Sequence, residues 1–473
     1  MVVGFGAAGL TTAITAHDAG ALVLVLEKMP EAEAGGNTRV SGNVWFNPTD
    51  RDTAVVYLRS LCGDYPVSDA IAEVWADEMS RNTEWVTGLG GEAAHTPRPY
   101  GWDHEHPDLP GHECDDGYHH LAPEWGSSRL WLLLRGALEN RGVEVLYDTR
   151  AQRLIQEGGR PEVLGVVAER GGETVEIRAR RGVVLATGGF ANDPQLARDL
   201  LRIPGSRPWG SPGSTGDGLR MALKAGAGVS HLANFMARPG LKAPEYRAAF
   251  AVSFPHSHGW INVTPDGRRF IREDAQPRHG KVNVDGALRL FPERTYFGVF
   301  DEATRAAGPI VPRRDREPFS WNTIVEGYEW SDDNLAEIER GWIVRGDTPG
   351  ELAERLGVDP DGLEAEIEAY NDACRARRDP HLRRAPETLV PLEQPPFYGY
   401  RWGPMLVYTC GGPRKDEQAR VLDPFGDPIP RLYCAGEVSA TYTWGMSGGQ
   451  MIGEAMAFGR IAGRNVSGEP PAM

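Results

Sequence analysis

Residues near the start of the chain have the types and spacing to grip a dinucleotide. Gly4-Phe5-Gly6-Ala7-Ala8-Gly9 forms a G-x-G-x-x-G run, and Glu27 stands at the end of the next apolar stretch. In such a run the first glycine allows a sharp turn and the second lets backbone approach a pyrophosphate. The third lets the following helix pack close on its sheet. Helix amides and the macrodipole then face the phosphates. An acid at the second strand's end, about 20 residues on, accepts hydrogen bonds from ribose hydroxyls and repels a 2′-phosphate. The run alone is a weak signal; strand, helix, second strand and acid together make it a dinucleotide site.

Other residues capable of chemistry are less sharply patterned. Gly35-Gly36-Asn37-Thr38-Arg39-Val40-Ser41-Gly42-Asn43 is dense in small and hydroxyl residues, which suits a loop contacting a polar ligand. His95, His104, His106, His112, His119 and His120, half of the chain's 12 histidines, fall between 95 and 125 beside Cys114. Their spacings match no metal-ligand template, so a long loop bordering a site is expected there, and no metal. Cys62, Cys114, Cys374, Cys410 and Cys434 are widely spaced with no C-x-x-C, which favours reduced thiols.

The elements that must position these residues can be read in order. Val2 and Val3 are a strand, a helix runs from about Ala7 to Ala19, Gly20 stops it, and Ala21–Leu26 is a buried parallel strand. Three residues precede Gly4, where strands usually run about 5–6; either the start is set late or the first strand is short. Residues 56–89 read as helical. Ser127–Asn140 is an amphipathic helix (Leu130, Leu133, Leu134, Ala137), followed by a strand over 143–147. Val163–Ala168 and Glu173–Ile177 resemble a β-meander turning at Gly171-Gly172. Gly182–Gly189 is a buried strand entering a glycine turn, and Thr215–Gly218 opens a helix over Leu219–Ala225. Asp217 is placed to cap that helix or to accept from a ligand hydroxyl. From about 239 to 396 the chain is richer in Arg, Glu, Trp and Pro, with a helix over Leu363–Arg378, and reads as a second domain. The remainder returns to glycine-rich α/β: Arg431–Glu437, then a helix from about Gly449 to Gly463 whose small, apolar face (Ile452, Ala455, Met456, Gly459, Ile461, Ala462) suits close packing.

Composition bounds the rest. The 473 residues exceed one ordinary core, so two domains are expected. Hydrophobic content of 41% and charged content of 25% are those of a soluble globular protein. A net charge of −16 argues against nucleic acid and anionic membranes. No apolar run reaches the ~18 residues of a membrane span. With no basic-then-apolar leader, a cytoplasmic location is expected.

Four segments, Gly4–Gly9 with Glu27, Gly35–Ser41, Val184–Gly189 and Leu432–Gly459, together resemble FAD enzymes of the fumarate reductase and 3-ketosteroid dehydrogenase family. They span the chain in the family's order. The resemblance implies an α/β fold: a Rossmann-like, discontinuous FAD-binding domain (1–238 and 397–473) with an inserted α+β capping domain (239–396) and the active site between them. It implies FAD contacts at Gly4, Gly6, Ala8, Gly9, Glu27, Lys28, Gly36, Asn37, Thr38, Ser41 and Gly42. Further contacts are implied at Ala186, Thr187, Gly188, Asn192, Asp217, Gly436, Glu437, Ser447, Gly449 and Ile452. Glu437 would meet the ribityl chain or a nearby amide, and the helix after Ser447 would aim its amides at the flavin's pyrimidine side. Asn37 stands where covalently flavinylated members carry histidine, so the FAD is expected to be non-covalent.

Family chemistry adds or removes hydrogen across adjacent carbons, with hydride exchanged at flavin N5 and a proton at a side chain. Arg305, in Phe300-Asp301-Glu302-Ala303-Thr304-Arg305, matches the proton-transferring arginine of fumarate reductases. Arg269-Phe270-Ile271-Arg272-Glu273 resembles the segment supplying the relay glutamate, here Glu273, and Arg278 lies near the relay arginine. Three departures matter. Arg238-Pro239 replaces a histidine-proline, Tyr408 replaces a substrate histidine, and Met446 falls where an arginine clamps dicarboxylates. Losing that bidentate clamp argues against fumarate or succinate. Tyr442-Thr443-Trp444-Gly445-Met446-Ser447 instead looks like ketosteroid 4-dehydrogenases, which carry a catalytic tyrosine before Gly-Met-Ser. Tyr442 and Tyr408 are therefore candidates to hold a ketone oxygen or take a proton.

The expected activity is oxidation or reduction of a CH–CH or C=C bond beside a carbonyl, on a ketosteroid-like or cyclic enone substrate. The alternatives are a non-fumarate carboxylic acid anchored by Arg238 and Arg305, or a flavoprotein subunit serving a partner redox protein. No haem C-x-x-C-H or iron–sulfur cysteine cluster is present, so electrons pass to or from a diffusible donor or acceptor.

Overall fold

The computed structural model describes residues 1–97, 106–254, 257–274, 280–284, 287–291, 294–314 and 319–472. Glycine geometry explains how the first turn forms. Gly4 sits at φ +114°, and a Cβ there would lie 2.2 Å from Ala186 O. A Cβ on Gly9 would lie 2.0 Å from Gly4 O. Helix α1 (Ala7–Asp18) can therefore pack directly against strand β1 (Val2–Val3) only because both positions lack side chains. The first strand is short, at two residues.

β1 is flanked by β2 (Leu24–Leu26) and, across a long excursion, by β4 (Val183–Leu185); β3 (Glu144–Leu146) pairs with β2. Near the chain's end β5 (Arg420–Leu422) and β6 (Pro428–Cys434) complete a six-stranded sheet in the order β5-β6-β4-β1-β2-β3. Every pairing but β5–β6 is parallel. The parallel strands are almost continuously apolar, as strands covered on both faces must be. One covering layer is α1 with α2 (Gln450–Gly468). These helices approach closely through Gly459 and Gly463, where a Cβ would meet Ala8 O at 2.9 Å and Thr12 O at 2.7 Å. The small face expected of the last helix serves this contact.

The expected meander gains a strand that the sequence does not announce: Thr149–Ile155 pairs with Gly165–Arg170, which pairs with Glu173–Arg178. The helical stretch near 56–89 is three helices, Arg51–Cys62, Asp69–Met79 and Asn82–Gly88, broken at Gly63 (φ +55°) and at Ser80.

A second sheet runs Phe250–Ala251, Phe235–Leu241, Phe397–Thr409, Tyr296–Asp301, Trp260–Val263, with Arg207–Pro208 and Val344–Gly346 also on the long strand. Phe397–Thr409 changes partners halfway. Its residues 397–402 pair with Tyr296–Asp301, and residues 402–409 pair with Phe235–Leu241. Pro239 lies opposite Pro404 in that second pairing. Behind this sheet packs an aromatic cluster that includes Phe250, Trp330, Trp342, Tyr398 and Trp402. Among the described residues no helix is long and apolar enough to cross a membrane.

Candidate active site

The carboxyl ends of β1, β2 and β4 open into one cavity of about 1030 Å³ whose far wall is the second sheet. This is the crevice where open parallel sheets bind ligands. Of the sequence-derived cofactor residues, Gly4, Gly6, Ala8, Glu27, Lys28, Gly36, Asn37, Thr38, Ser41, Ala186, Thr187, Gly188, Asp217, Gly436, Glu437, Ser447, Gly449 and Ile452 line it. Gly9, Gly42 and Asn192 do not. Gly9 is spent on helix packing. A Cβ on Gly42 would meet the Phe319 ring at 3.3 Å, and Asn192 Nδ2 holds the 211–214 turn by donating to Pro212 O at 2.6 Å.

At one end of the cavity Glu27 is buried, with Oε1 accepting from Met29 N at 2.8 Å. Burial pushes its carboxyl upward against that hydrogen bond. Thr38 Oγ1 accepts from Ala7 N at 2.8 Å, so the Gly36–Val40 turn is fastened to the first amide of α1. Asp217 is not the cap the sequence suggests. Gly216 occupies the cap position, and Asp217 is paired with Lys28 Nζ at 2.9 Å and with Arg150 Nη2 at 2.7 Å. Burial raises the Asp217 carboxyl, but these two cations outweigh it and hold the group below its ordinary value.

In mid-cavity Glu437 Oε2 accepts from Asn37 Nδ2 at 2.9 Å and Oε1 from Thr409 N at 3.1 Å. Asn37 Oδ1 in turn accepts from Ser211 N at 2.8 Å. Burial pushes the Glu437 carboxyl up to about 7, opposed by those hydrogen bonds. Gly189, part of the glycine turn read in the sequence but not among the implied contacts, makes room for this cluster: a Cβ there would lie 2.2 Å from Glu437 Oε1. At the N-terminus of α2, Gly449 is the cap residue at φ +78°. Gln450 Oε1 accepts from Ser447 N at 2.9 Å, and Ser447 Oγ lies 2.6 Å from Tyr57 Oη.

The four residues expected to carry chemistry lie in four different environments. Tyr408 lines the cavity. Tyr442 does not: it is fully buried, its ring edge-on to Trp75. Its hydroxyl accepts from Trp75 Nε1 and donates to Gln450 O, each at 3.1 Å. Burial pushes that phenol well above its ordinary value, which removes it as a proton acceptor. Arg305 is also placed away from the cavity. One helical turn after Glu302 it grips that carboxylate with Nε at 2.7 Å and Nη2 at 2.6 Å, while Nη1 donates to Asp333 O at 2.9 Å.

Glu273 borders the cavity by its backbone side, since its side chain is 0% exposed. Its carboxylate accepts from Arg269 (2.8 and 2.6 Å), Arg384 (3.3 Å) and Asn262 N (3.2 Å), and Arg269 also meets Asp379 at 3.1 Å. This is a neutral buried network, and among the described residues none of its hydrogen bonds runs to Arg305. Arg278 lies outside the described residues. Among the described residues the arginines lining the cavity are instead Arg238, over the Trp209 ring at 5.4 Å, and Arg272, paired with Asp274 at 2.7 Å, beside the Lys28 already described. Met446 also lines the cavity. Sequence reading missed Trp209–Ser211, Trp260 and Phe319; the small residues of Trp209-Gly210-Ser211-Pro212-Gly213 are the one signal that could have marked that segment.

Thr187 gives an independent test of fit for a dinucleotide. Its Oγ1 is buried without a hydrogen-bond partner, and Thr187 lines the cavity next to the glycine turn. Such an orphan needs a ligand or water. Together with the side-chain-free entrance to α1, the buried Glu27 and the glycine cap of α2, it suits a polar ligand with a pyrophosphate centre.

Comparison with known proteins agrees. The chain is 27% identical to NADH:fumarate oxidoreductase of Klebsiella pneumoniae across 99% of its own length, and spans 47% of that protein. It is 27% identical to 3-oxosteroid 1-dehydrogenase of Mycolicibacterium smegmatis, covering 99% of this chain and 96% of the relative. In fold it matches 3-ketosteroid delta1-dehydrogenase of Sterolibacterium denitrificans, solved with 1,4-androstadiene-3,17-dione. The TM-score is 0.78 at 23% identity over 98% of each chain. The FAD binding domain family matches residues 1–452, and the chain belongs to that family of FAD-dependent proteins.

Proposed function

We propose that this protein oxidises or reduces a carbon–carbon bond beside a carbonyl on a ketone or cyclic enone larger than fumarate. The observation that carries the reading is the composition of the cavity's far wall. Tyr408, Met236 and Trp260 stand on it, and Met446 and Phe291 line the same cavity, Met446 at the place where the family resemblance would put a dicarboxylate-clamping arginine. A wall of this kind suits an apolar ring system bearing one polar oxygen. A relative that the match covers to 96% of its length acts, by its name, on 3-oxosteroids.

Bound FAD supplies the hydride donor or acceptor. It is held without a covalent bond, because Asn37 replaces the histidine and is already engaged with Glu437 and Ser211. Residues 239–396, with the long strand Phe397–Thr409, act as a cap closing the substrate side. The Tyr408 hydroxyl donates to the substrate's carbonyl oxygen and stabilises the negative charge that develops there. Electrons leave to, or arrive from, a diffusible partner.

Arg238 and Arg272 on the same wall favour one second reading, a bulky carboxylic acid. The test is anaerobic titration of the purified protein, followed by its visible flavin absorbance. Bleaching by a saturated 3-ketone, lost about 10²-fold in Tyr408→Phe, supports the ketone reading. Bleaching only by acids, and its loss in Arg238→Ala, supports the other. A protein that takes up no FAD overturns both.

A further inference from the structure

We propose that His95, Asp116 and His119 form a binding site for one divalent transition-metal ion of the zinc class. The sequence gives no ligand template here, because the three residues meet through strand pairing and not through local spacing. Ala93–Thr96 and Tyr118–Leu121 are antiparallel, and His95 lies directly across from His119. Directly opposed side chains share one face of a strand pair. Asp116, at the entry to the second strand, closes the triangle.

The distances suit an ion. Asp116 Oδ1 lies 3.3 Å from His95 Nε2 and 3.6 Å from His119 Nε2, and all three ligand atoms fall within 4.8 Å of one another. Bonds of about 2.0–2.1 Å at tetrahedral angles place ligand atoms roughly 3.4 Å apart. Two edges of the polyhedron are therefore already set, and the histidine–histidine edge closes by side-chain rotation. His95 and Asp116 are exposed enough to make that movement, with side chains 35% and 40% exposed, and a metal would take the place of the present contact of His95 Nε2 with Asp116 O at 3.2 Å. His119 is the fixed ligand. It stacks on Trp45, and its Nδ1 lies 3.3 Å from Thr83 Oγ1, which also receives Trp45 Nε1–H at 3.1 Å. A ring held at Nδ1 presents Nε2 to the metal. That Nε2 is buried without a hydrogen-bond partner, a second and independent sign of an expected ligand.

Two imidazoles and one carboxylate select zinc, cobalt or nickel over magnesium or calcium, which prefer all-oxygen shells. The exposed side leaves the fourth position to water. Occupancy has a structural consequence for the main cavity. Tyr118, between Asp116 and His119, lines that cavity and packs on Gly448, where a Cβ would lie 2.4 Å from Tyr118 Oη. The ion thus staples the strand that carries part of the cavity wall.

The test uses the flavin-loaded full chain, stripped with chelator and titrated with Zn²⁺ alone by calorimetry, with melting temperature measured in parallel. Expected are one ion per chain, a raised melting temperature, and no response to Mg²⁺. His95→Ala and His119→Ala each weaken binding at least tenfold, and Thr83→Val weakens it about 10-fold or more while stoichiometry is kept. His17→Ala, on the exposed end of α1, leaves it unchanged. Circular dichroism and flavin absorbance check folding. Should His119→Ala fail to fold, the exposed His95 decides. Wild-type affinity in His95→Ala, or no zinc uptake by the wild type, overturns the proposal.

Discussion

Replacing Glu437 by glutamine should change how stability depends on pH, and the size of the change follows from the site. In the folded chain burial lifts the Glu437 carboxyl to about 7, from an ordinary value of 4.5. Between those values the folded state holds a proton that the unfolded state has released. Stability therefore falls as pH rises through this window, the reverse of a salt-bridged carboxylate. At about 1.36 kcal/mol per pKa unit, a window from 4.5 to about 7 withdraws about 3 kcal/mol from the flavin-free protein by neutral pH. Glutamine does not titrate and removes this slope. It brings its own cost. Its amide nitrogen faces Asn37 Nδ2, so Asn37 must turn and release Ser211 N, or a donor stays unpaired. Either outcome costs about 1–3 kcal/mol. Glu437→Gln should thus be the less stable protein at pH 4.5 and draw level with, or pass, the wild type near pH 8. The assay is urea unfolding of both flavin-free proteins at half-unit steps, with the difference in stability plotted against pH. A difference that stays constant to within about 1 kcal/mol across the window would refute the assignment of the titrating group.

Three further outcomes follow from the geometry. Gly4→Ala places a side chain at φ +114° and 2.2 Å from Ala186 O. Backbone strain alone costs about 1–3 kcal/mol, and thermal unfolding together with bound-flavin absorbance should both fall. The two tyrosines should split cleanly. Tyr442→Phe costs about 1–2 kcal/mol for its two hydrogen bonds and leaves turnover intact, whereas Tyr408→Phe lowers turnover about 10²-fold with little loss of stability. Glu273→Gln uncovers Arg384 and weakens Arg269, so a loss of about 3 kcal/mol or more is expected in chemical denaturation.

What could be read in the sequence was whatever depends on neighbours along the chain. Gly4, Gly6, Gly9 and Glu27 are legible because turn, helix and strand follow one another within a single unit. The apolar runs at 183–185 and 432–435 are legible because a doubly covered strand needs no polar alternation. Arg305 was not legible in this way. Motif position suggested chemistry, but Glu302 sits three residues before it on the same helix, and the guanidinium is taken up by that carboxylate and by Asp333 O. Tyr442 and Tyr408 illustrate the same limit. Both precede glycine-rich turns, and only the packing of Trp75 against one of them separates a core hydroxyl from a cavity hydroxyl. The Thr149–Ile155 strand went unread because its exposed, charged residues mask the alternation.

The pairing of Pro239 with Pro404 has a mechanical meaning. Neither residue has an N–H, so at this rung neither strand can donate to the other. The rung sits two residues from Trp402, where the long strand passes from one set of partners to the other, and Gly403 adjoins it. Between residues 397–402, held by Tyr296–Asp301, and residues 402–409, held by Phe235–Leu241, the strand has one change of partner, and a twist of one half of the sheet against the half that holds Tyr408 and Thr409 would turn there. The axis of such a twist would lie inside a strand and not in a loop. Thr409, at the far end of the same strand, donates to Glu437, so a rotation about that axis would be felt directly in mid-cavity.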